Sequence, residues 1–262
     1  MKSFNENIKN HCLQKNNRLC IGLDVDNEKL SNQSIGYMRD FIFDIIENTI
    51  DHCPIYKINF AFYEKHGSKG YEILEKIPDF INNRAITIAD AKRGDIGNSS
   101  KYYSKAILDS LGYDSITISP YMGEDSIAPF TQNLSKGIFI LCLTSNSGSN
   151  DFQHLVSNNL PLYKHVAKKA NSMNLNNNIG IVVGATNSKY LKEIKEICPS
   201  IPWLMPGVGF QGGSLNDSIK IEADSGLSII NVSRGVISAG DGSIIEIRKS
   251  SLNYTKLIRE LL

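Results

Sequence analysis

The chain has 262 residues with 28 basic and 27 acidic side chains, a formal net charge of +1; its length suits one (β/α)8 barrel, and the even mixture of charge argues against nucleic-acid or other polyanionic partners. Five cysteines (Cys12, Cys20, Cys53, Cys142, Cys198) are widely spread, with no Cys-x-x-Cys pair, which excludes a disulfide or zinc framework and points to a reducing compartment. The N-terminus has no apolar signal core and no 18-residue apolar stretch follows, so a cytoplasmic protein without a membrane span is expected.

Segment 4–14 has helical spacing and is expected to form a lid before the first strand. Short apolar, often β-branched runs then recur about every thirty residues, as successive βα units require. The predicted strands are 19–23, 55–59, 86–90, 115–119, 138–143, 179–183, 203–205 and 228–232. Between them 37–50, 62–81, 102–111, 160–173 and 190–197 carry apolar residues at helical spacing, and 246–262 reads as a closing helix. No linker, low-complexity tract or charge run divides the chain, so 1–262 is read as one α/β domain. The strand count favours a single (β/α)8 TIM barrel, although a doubly wound open sheet fits the alternation nearly as well.

Polar residues cluster just past these strands. Asp24 follows the first, Lys57 and Asn59 lie in the second, and Asp90, Lys92 and Asp95 close the third. Thr144-Ser145-Asn146 follows the fifth, Gly207-Val208-Gly209-Phe210-Gln211-Gly212-Gly213 the seventh and Ser233-Arg234-Gly235 the eighth. In a barrel all these ends open onto one face, where residues distant in sequence converge.

Asp90-Ala91-Lys92-Arg93-Gly94-Asp95 sets two carboxylates and an ammonium at the end of a buried run. Strand residues alternate sides, so Asp90 and Lys92 share a face. Charges there are costly unless paired with each other or with a ligand. An Asp-x-Lys ion pair can be purely structural, but with Lys57 and Asp95 the pattern becomes an alternating array in which each charge holds its neighbours ionised. Such an array can present Lys92 as a positioned ammonium acid. The five histidines fall in predicted helices or loops and offer no rival site. Asp24, Asp90 and Asp95 could in principle hold a magnesium ion.

The Gly-x-Gly-x-x-Gly match at Gly207 lies in the seventh unit, and the next strand ends without an acidic residue, so it is not a dinucleotide fingerprint. Gly-rich turns after strands seven and eight of a barrel form a phosphate cradle, to which Gln211 would add an amide and Arg234 a charge-assisted contact. The same glycines could serve only a tight turn.

At these residues the chain resembles the orotidine 5'-phosphate decarboxylase family, in its longer-chain branch, from Cys20-Ile21-Gly22-Leu23-Asp24 to Asn231-Val232-Ser233-Arg234-Gly235. The most specific segments are Lys57-Ile58-Asn59-Phe60-Ala61-Phe62 and Asp90-Ala91-Lys92-Arg93-Gly94-Asp95-Ile96-Gly97. Pro120-Tyr121-Met122-Gly123, Thr144-Ser145-Asn146 and Pro206-Gly207-Val208-Gly209 also match. The resemblance implies a (β/α)8 homodimer that converts orotidine 5'-phosphate to UMP without metal or organic cofactor.

Carried over residue by residue, it implies that Asp24 and Lys57 hold the ribose hydroxyls, with Asn59 nearby. Asp90 faces the substrate carboxylate and Lys92 protonates the carbon that carbon dioxide leaves. Asp95, Ile96 and Ser99 would reach the neighbouring subunit's site. Ser145 would read the pyrimidine, Gln211 and Arg234 would grip the phosphate, and Pro206 and Ser233 complete the binding set. Phe210 stands where a smaller residue is usual, which bears on closure of the phosphate loop, and Ser99 replaces a commoner Thr. A magnesium-dependent barrel with the same Asp-x-Lys-x-x-Asp pattern would need acidic ligands after neighbouring strands, where this chain has Lys57 and Asn59. A barrel that binds a nucleotide without turning it over would be marked by loss of one charged residue, and none is lost.

Overall fold

The computed structural model describes residues 2–186, 188–208, 213–220 and 227–262. The strands are β1 (Leu19–Gly22), β2 (Ile55–Asn59), β3 (Ile86–Arg93), β4 (Ser115–Ile118), β5 (Gly137–Leu143), β6 (Val156–Ser157), β7 (Leu160–Pro161), β8 (Ile179–Val183), β9 (Trp203–Pro206) and β10 (Ser228–Val232). All except the hairpin β6–β7 form a closed parallel barrel in the order β1-β10-β9-β8-β5-β4-β3-β2. Pairing of β1 with both β2 (Gly22 opposite Lys57) and β10 (Cys20 opposite Asn231) shuts the sheet on itself and rules out the open-sheet alternative.

Strand alternation divides the apolar residues into two cores. One set fills the barrel interior, with Ile55, Ile86, Ile88, Phe139, Val182, Leu204 and Ile229 stacked inside it. The other set, including Ile42, Ile46, Leu74, Ile77, Ile194 and Ile247, packs the helical layer onto the outer face of the sheet. Inward positions nearer the C-terminal strand ends turn polar: Lys57, Asp90, Thr117 and Asn231 are all buried. The site is therefore a change of chemistry along one continuous stack.

Most predicted helices shift by a few residues. The run 37–50 is a helix from Ile35 to Thr49, started by Ser34, whose hydroxyl accepts the Tyr37 N–H at 3.2 Å. The run 62–81 is broken into Ala61–Glu64 and Ser68–Ile81 by Gly67, with φ +59°. Gly70 then lies so close to the Tyr63 carbonyl that a Cβ would overlap it. Helix Gly97–Ser104 runs on into a π turn over Lys105–Ser110. The start of the run 160–173 belongs to the hairpin, whose turn residues Asn158 and Asn159 both have positive φ, as a two-residue hairpin turn requires.

Helix Phe4–Gln14 does not cover the site as a lid. It closes the opposite end: Phe4 N–H bonds Leu134 O at 2.8 Å and Asn5 Nδ2 bonds Ile179 O at 3.2 Å, both beside strand beginnings. The Phe4 ring meets Phe139 edge-on at 6.0 Å, and a Cβ at Gly137 would overlap that ring. Its apolar face, Phe4, Ile8 and Cys12, is the lowest layer of the interior. Among the described residues no helix is long and apolar enough to cross a membrane.

Candidate active site

A cavity of about 740 Å3 opens at the C-terminal ends of the barrel strands. Its wall draws on Asp24, Lys57, Asn59, Asp90 and Lys92 on one side, and Ser145, Pro206, Gly207, Ser233 and Arg234 on the other. The sequence-predicted residues after six different strands thus face one space. Gln211, Phe210 and Gly209 lie outside the described residues. Asp95, Ile96 and Ser99 do not line this cavity: they sit on the turn after β3 and the helix it enters, where Asp95 Oδ1 accepts the Ile96 N–H at 2.8 Å.

The charged floor is organised around Asp90. Lys57 Nζ donates to Asp90 Oδ2 at 2.9 Å and lies 3.4 Å from Asp24 Oδ1. Lys92 Nζ donates to Asp90 Oδ1 at 2.6 Å. Burial opposes a charged Lys57, but Asp24 and Asp90 outweigh it and hold the ammonium above the usual lysine range. Burial likewise opposes an ionised Asp90, and Lys57 and Lys92 more than reverse this, holding the carboxyl well below the usual carboxylate range. The array is therefore two ammonium groups and two carboxylates, fixed before any ligand arrives. The three acids do not converge as a magnesium ligand set, because both Asp90 oxygens meet ammonium groups and Asp95 is outside the cavity.

Lys92 reaches its place through an irregular backbone. Between the pairs Ala89–Ile116 and Arg93–Ile118 the β3 register shifts, and Lys92 takes φ +46°. Left-handed conformations of long side chains are uncommon and persist where the surroundings impose them. The reason is Thr117, which the sequence reading did not single out. Its Oγ1 accepts the Lys92 N–H at 3.0 Å and donates to Asp90 Oδ1 at 2.9 Å.

Across the cavity, Gly22 lets β10 approach closely: a Cβ there would run into Ser233 Oγ and come within 3.0 Å of Ser233 Cβ. Ser233 and Arg234 open the short helix Arg234–Ile237, and Gly207, with φ +95°, begins the turn after β9. Gly213 N–H closes that turn on Gly207 O at 3.1 Å. The Ser145 loop is braced by Gln153, also not singled out, whose Oε1 accepts the Thr144 N–H and whose Nε2 donates to Thr144 Oγ1, both at 2.8 Å.

A closed (β/α)8 barrel with an acid–base array and glycine turns at one mouth defines the class: a barrel enzyme with its chemistry at the C-terminal strand ends. Residues 17–243 match the orotidine 5'-phosphate decarboxylase / HUMPS family, and the chain belongs to that family. It is 48% identical over 246 residues to an orotidine 5'-phosphate decarboxylase of Dehalococcoides mccartyi, covering 92% of this chain and 90% of that protein. Among solved structures, Leishmania donovani OMP decarboxylase superposes with a TM-score of 0.87 at 33% identity, covering 99% of this chain and 98% of that one. The Methanocaldococcus jannaschii enzyme complexed with inhibitor BMP superposes with a TM-score of 0.72 at 25% identity, covering 92% and 98% of the two chains.

Proposed function

We propose that the protein decarboxylates orotidine 5'-phosphate to UMP, with residues 1–262 acting as one catalytic unit. The observation that carries the mechanism is the buried Asp90 carboxylate held between Lys57 and Lys92 on the cavity floor. Loss of carbon dioxide leaves an electron pair in the plane of the pyrimidine ring, where the ring delocalises it poorly. The Lys92 ammonium is fixed beside that position; it stabilises the developing charge and then gives its proton to the carbon. Asp90 faces the departing carboxylate. Two carboxylates ~4 Å apart repel by roughly 4 kcal/mol at an effective dielectric near 20, and the repulsion is relieved as carbon dioxide leaves.

Binding energy from remote groups offsets that strain. Asp24, Lys57 and Asn59 hold the ribose, Ser145 reads the pyrimidine, and Arg234, with Ser233 and Pro206 in the same cavity wall, takes the phosphate, a role in which the resemblance also includes Gln211. A structural relative complexed with inhibitor BMP supports ligand binding by this fold.

The working unit is a homodimer in the cytoplasm, where the five buried free cysteines stay reduced. Asp95, Ile96 and Ser99 complete the partner's site. Support comes from their position outside their own cavity, and from the exposure of Ile96 itself, 59%, and of Tyr102 on the same helix as Ser99, 65%. The direct test is to incubate purified protein with orotidine 5'-phosphate, with and without EDTA, and follow UMP. UMP formed equally in both is expected. No UMP in either overturns the reading, and loss of activity with EDTA returns the magnesium-dependent rival.

A further inference from the structure

Where β3 leaves its register, it carries three residues, Asp90, Ala91 and Lys92, against one on β4, Thr117. The bulge brings the Lys92 side chain to Asp90 but removes the Lys92 N–H from the regular ladder. The Thr117 hydroxyl takes that N–H at 3.0 Å. It owns a single proton, and because one lone pair accepts from Lys92, the proton is directed to Asp90 Oδ1 at 2.9 Å. Thr117 is buried on the cavity floor, so both bonds are largely shielded from bulk water. One hydroxyl thus ties the backbone of the proton donor to the carboxylate beside it.

We infer that Thr117 is a positioning residue for the decarboxylation, a reading that rests on the function proposed above. With Lys57 on Oδ2, and Lys92 and Thr117 on Oδ1, the Asp90 carboxylate cannot turn away from a substrate carboxylate placed against it. Without the hydroxyl, Asp90 gains a rotation that relaxes the repulsion. The Lys92 backbone loses the acceptor that holds φ at +46°, so its ammonium drifts from the reacting carbon. Both effects act on the chemical step and leave the remote phosphate grip alone.

The test pairs Thr117→Val, which keeps the β-branched shape and removes the hydroxyl, with Thr117→Ser, which keeps the hydroxyl. Thr117→Val should lower kcat by about tenfold to a hundredfold, with KM and the Kd for UMP little changed. Thr117→Ser should restore most of kcat, and thermal midpoints identify any variant that fails to fold. A Thr117→Val enzyme with wild-type kcat, or a Thr117→Ser enzyme as slow as Thr117→Val, overturns the inference. Hydrogen exchange at the Lys92 amide reads the tie without turnover: protection should fall in Thr117→Val and persist in Thr117→Ser. Equal protection in all three proteins also overturns it. Wild-type protein inactive on orotidine 5'-phosphate, with the exchange pattern as expected, overturns the role in decarboxylation while leaving the tie itself demonstrated.

Discussion

Lys57 Nζ and Asp90 Oδ2 face each other at 2.9 Å with both residues buried, so each charge is tolerated because the other, helped by Asp24 and Lys92, compensates it. The Asp90 pKa is depressed in the folded protein. Its contribution to stability is present above the unfolded carboxylate value of about 3.9 and is lost as pH falls through the folded value. The Lys57 pKa is raised, so its contribution is present below about 10.4 and lost as pH rises through the folded value. Calorimetric midpoints from pH 5 downward should fall more steeply for wild type than for Asp90→Asn. Parallel curves would remove Asp90 from the acid limb.

Lys92→Ala removes the side chain proposed as proton donor and leaves Ser233 and Arg234 in place. Turnover should disappear while UMP still binds, as titration calorimetry would register. Turnover within tenfold of wild type would refute the role given to Lys92.

Arg234 lines the same cavity from the short helix after β10. A charge-assisted contact there is worth about 1.5–3 kcal/mol. Arg234→Ala should therefore lower kcat/KM for the nucleotide by an order of magnitude or more. The phosphate-free nucleoside should lose far less. Equal losses on both substrates would make Arg234 a support of the fold.

The charged floor was legible because few arrangements put Asp, Lys and Asn at the end of apolar runs; strand alternation puts Lys57 and Asn59 on one face, whereas Lys92 meets Asp90 through a bulge that alternation does not foretell. Thr117 was not, since one hydroxyl in Ser115-Ile116-Thr117-Ile118 looks like any β-branched strand residue until a bulge gives it two partners. The break at Gly67 was hidden by the helical spacing on either side of it. Asn158-Asn159 did carry a turn signal between short apolar pairs, and helical periodicity from Leu160 onward masked it. Amphipathic spacing marked the helix Phe4–Gln14 correctly. Spacing cannot say which end of a barrel a helix covers, and Gly137 beneath the Phe4 ring decides it.

The proposal of a shared site makes a quantitative prediction. If Asp95 acts on the partner's Lys92 and Asp90, mixing Lys92→Ala with Asp95→Ala subunits yields heterodimers in which one site carries both lesions and the other neither. Random exchange makes half the dimers mixed, so activity should return to roughly a quarter of wild type. With exchange verified by mass spectrometry, no recovery would mean that Asp95 serves its own chain.

The packed interior below the charged floor also governs traffic. Phe4, Ile8, Ile55, Ile86 and Phe139 fill the barrel down to its closed end. In the proposed mechanism, carbon dioxide released beside Lys92 would meet packed hydrocarbon beneath it and the nucleotide above. Among the described residues the open route would run past the nucleotide, through the mouth by which the substrate came in. Among the described residues that mouth then handles an arrival and two departures in every cycle, and a fast chemical step would leave the pace of the enzyme to be set there.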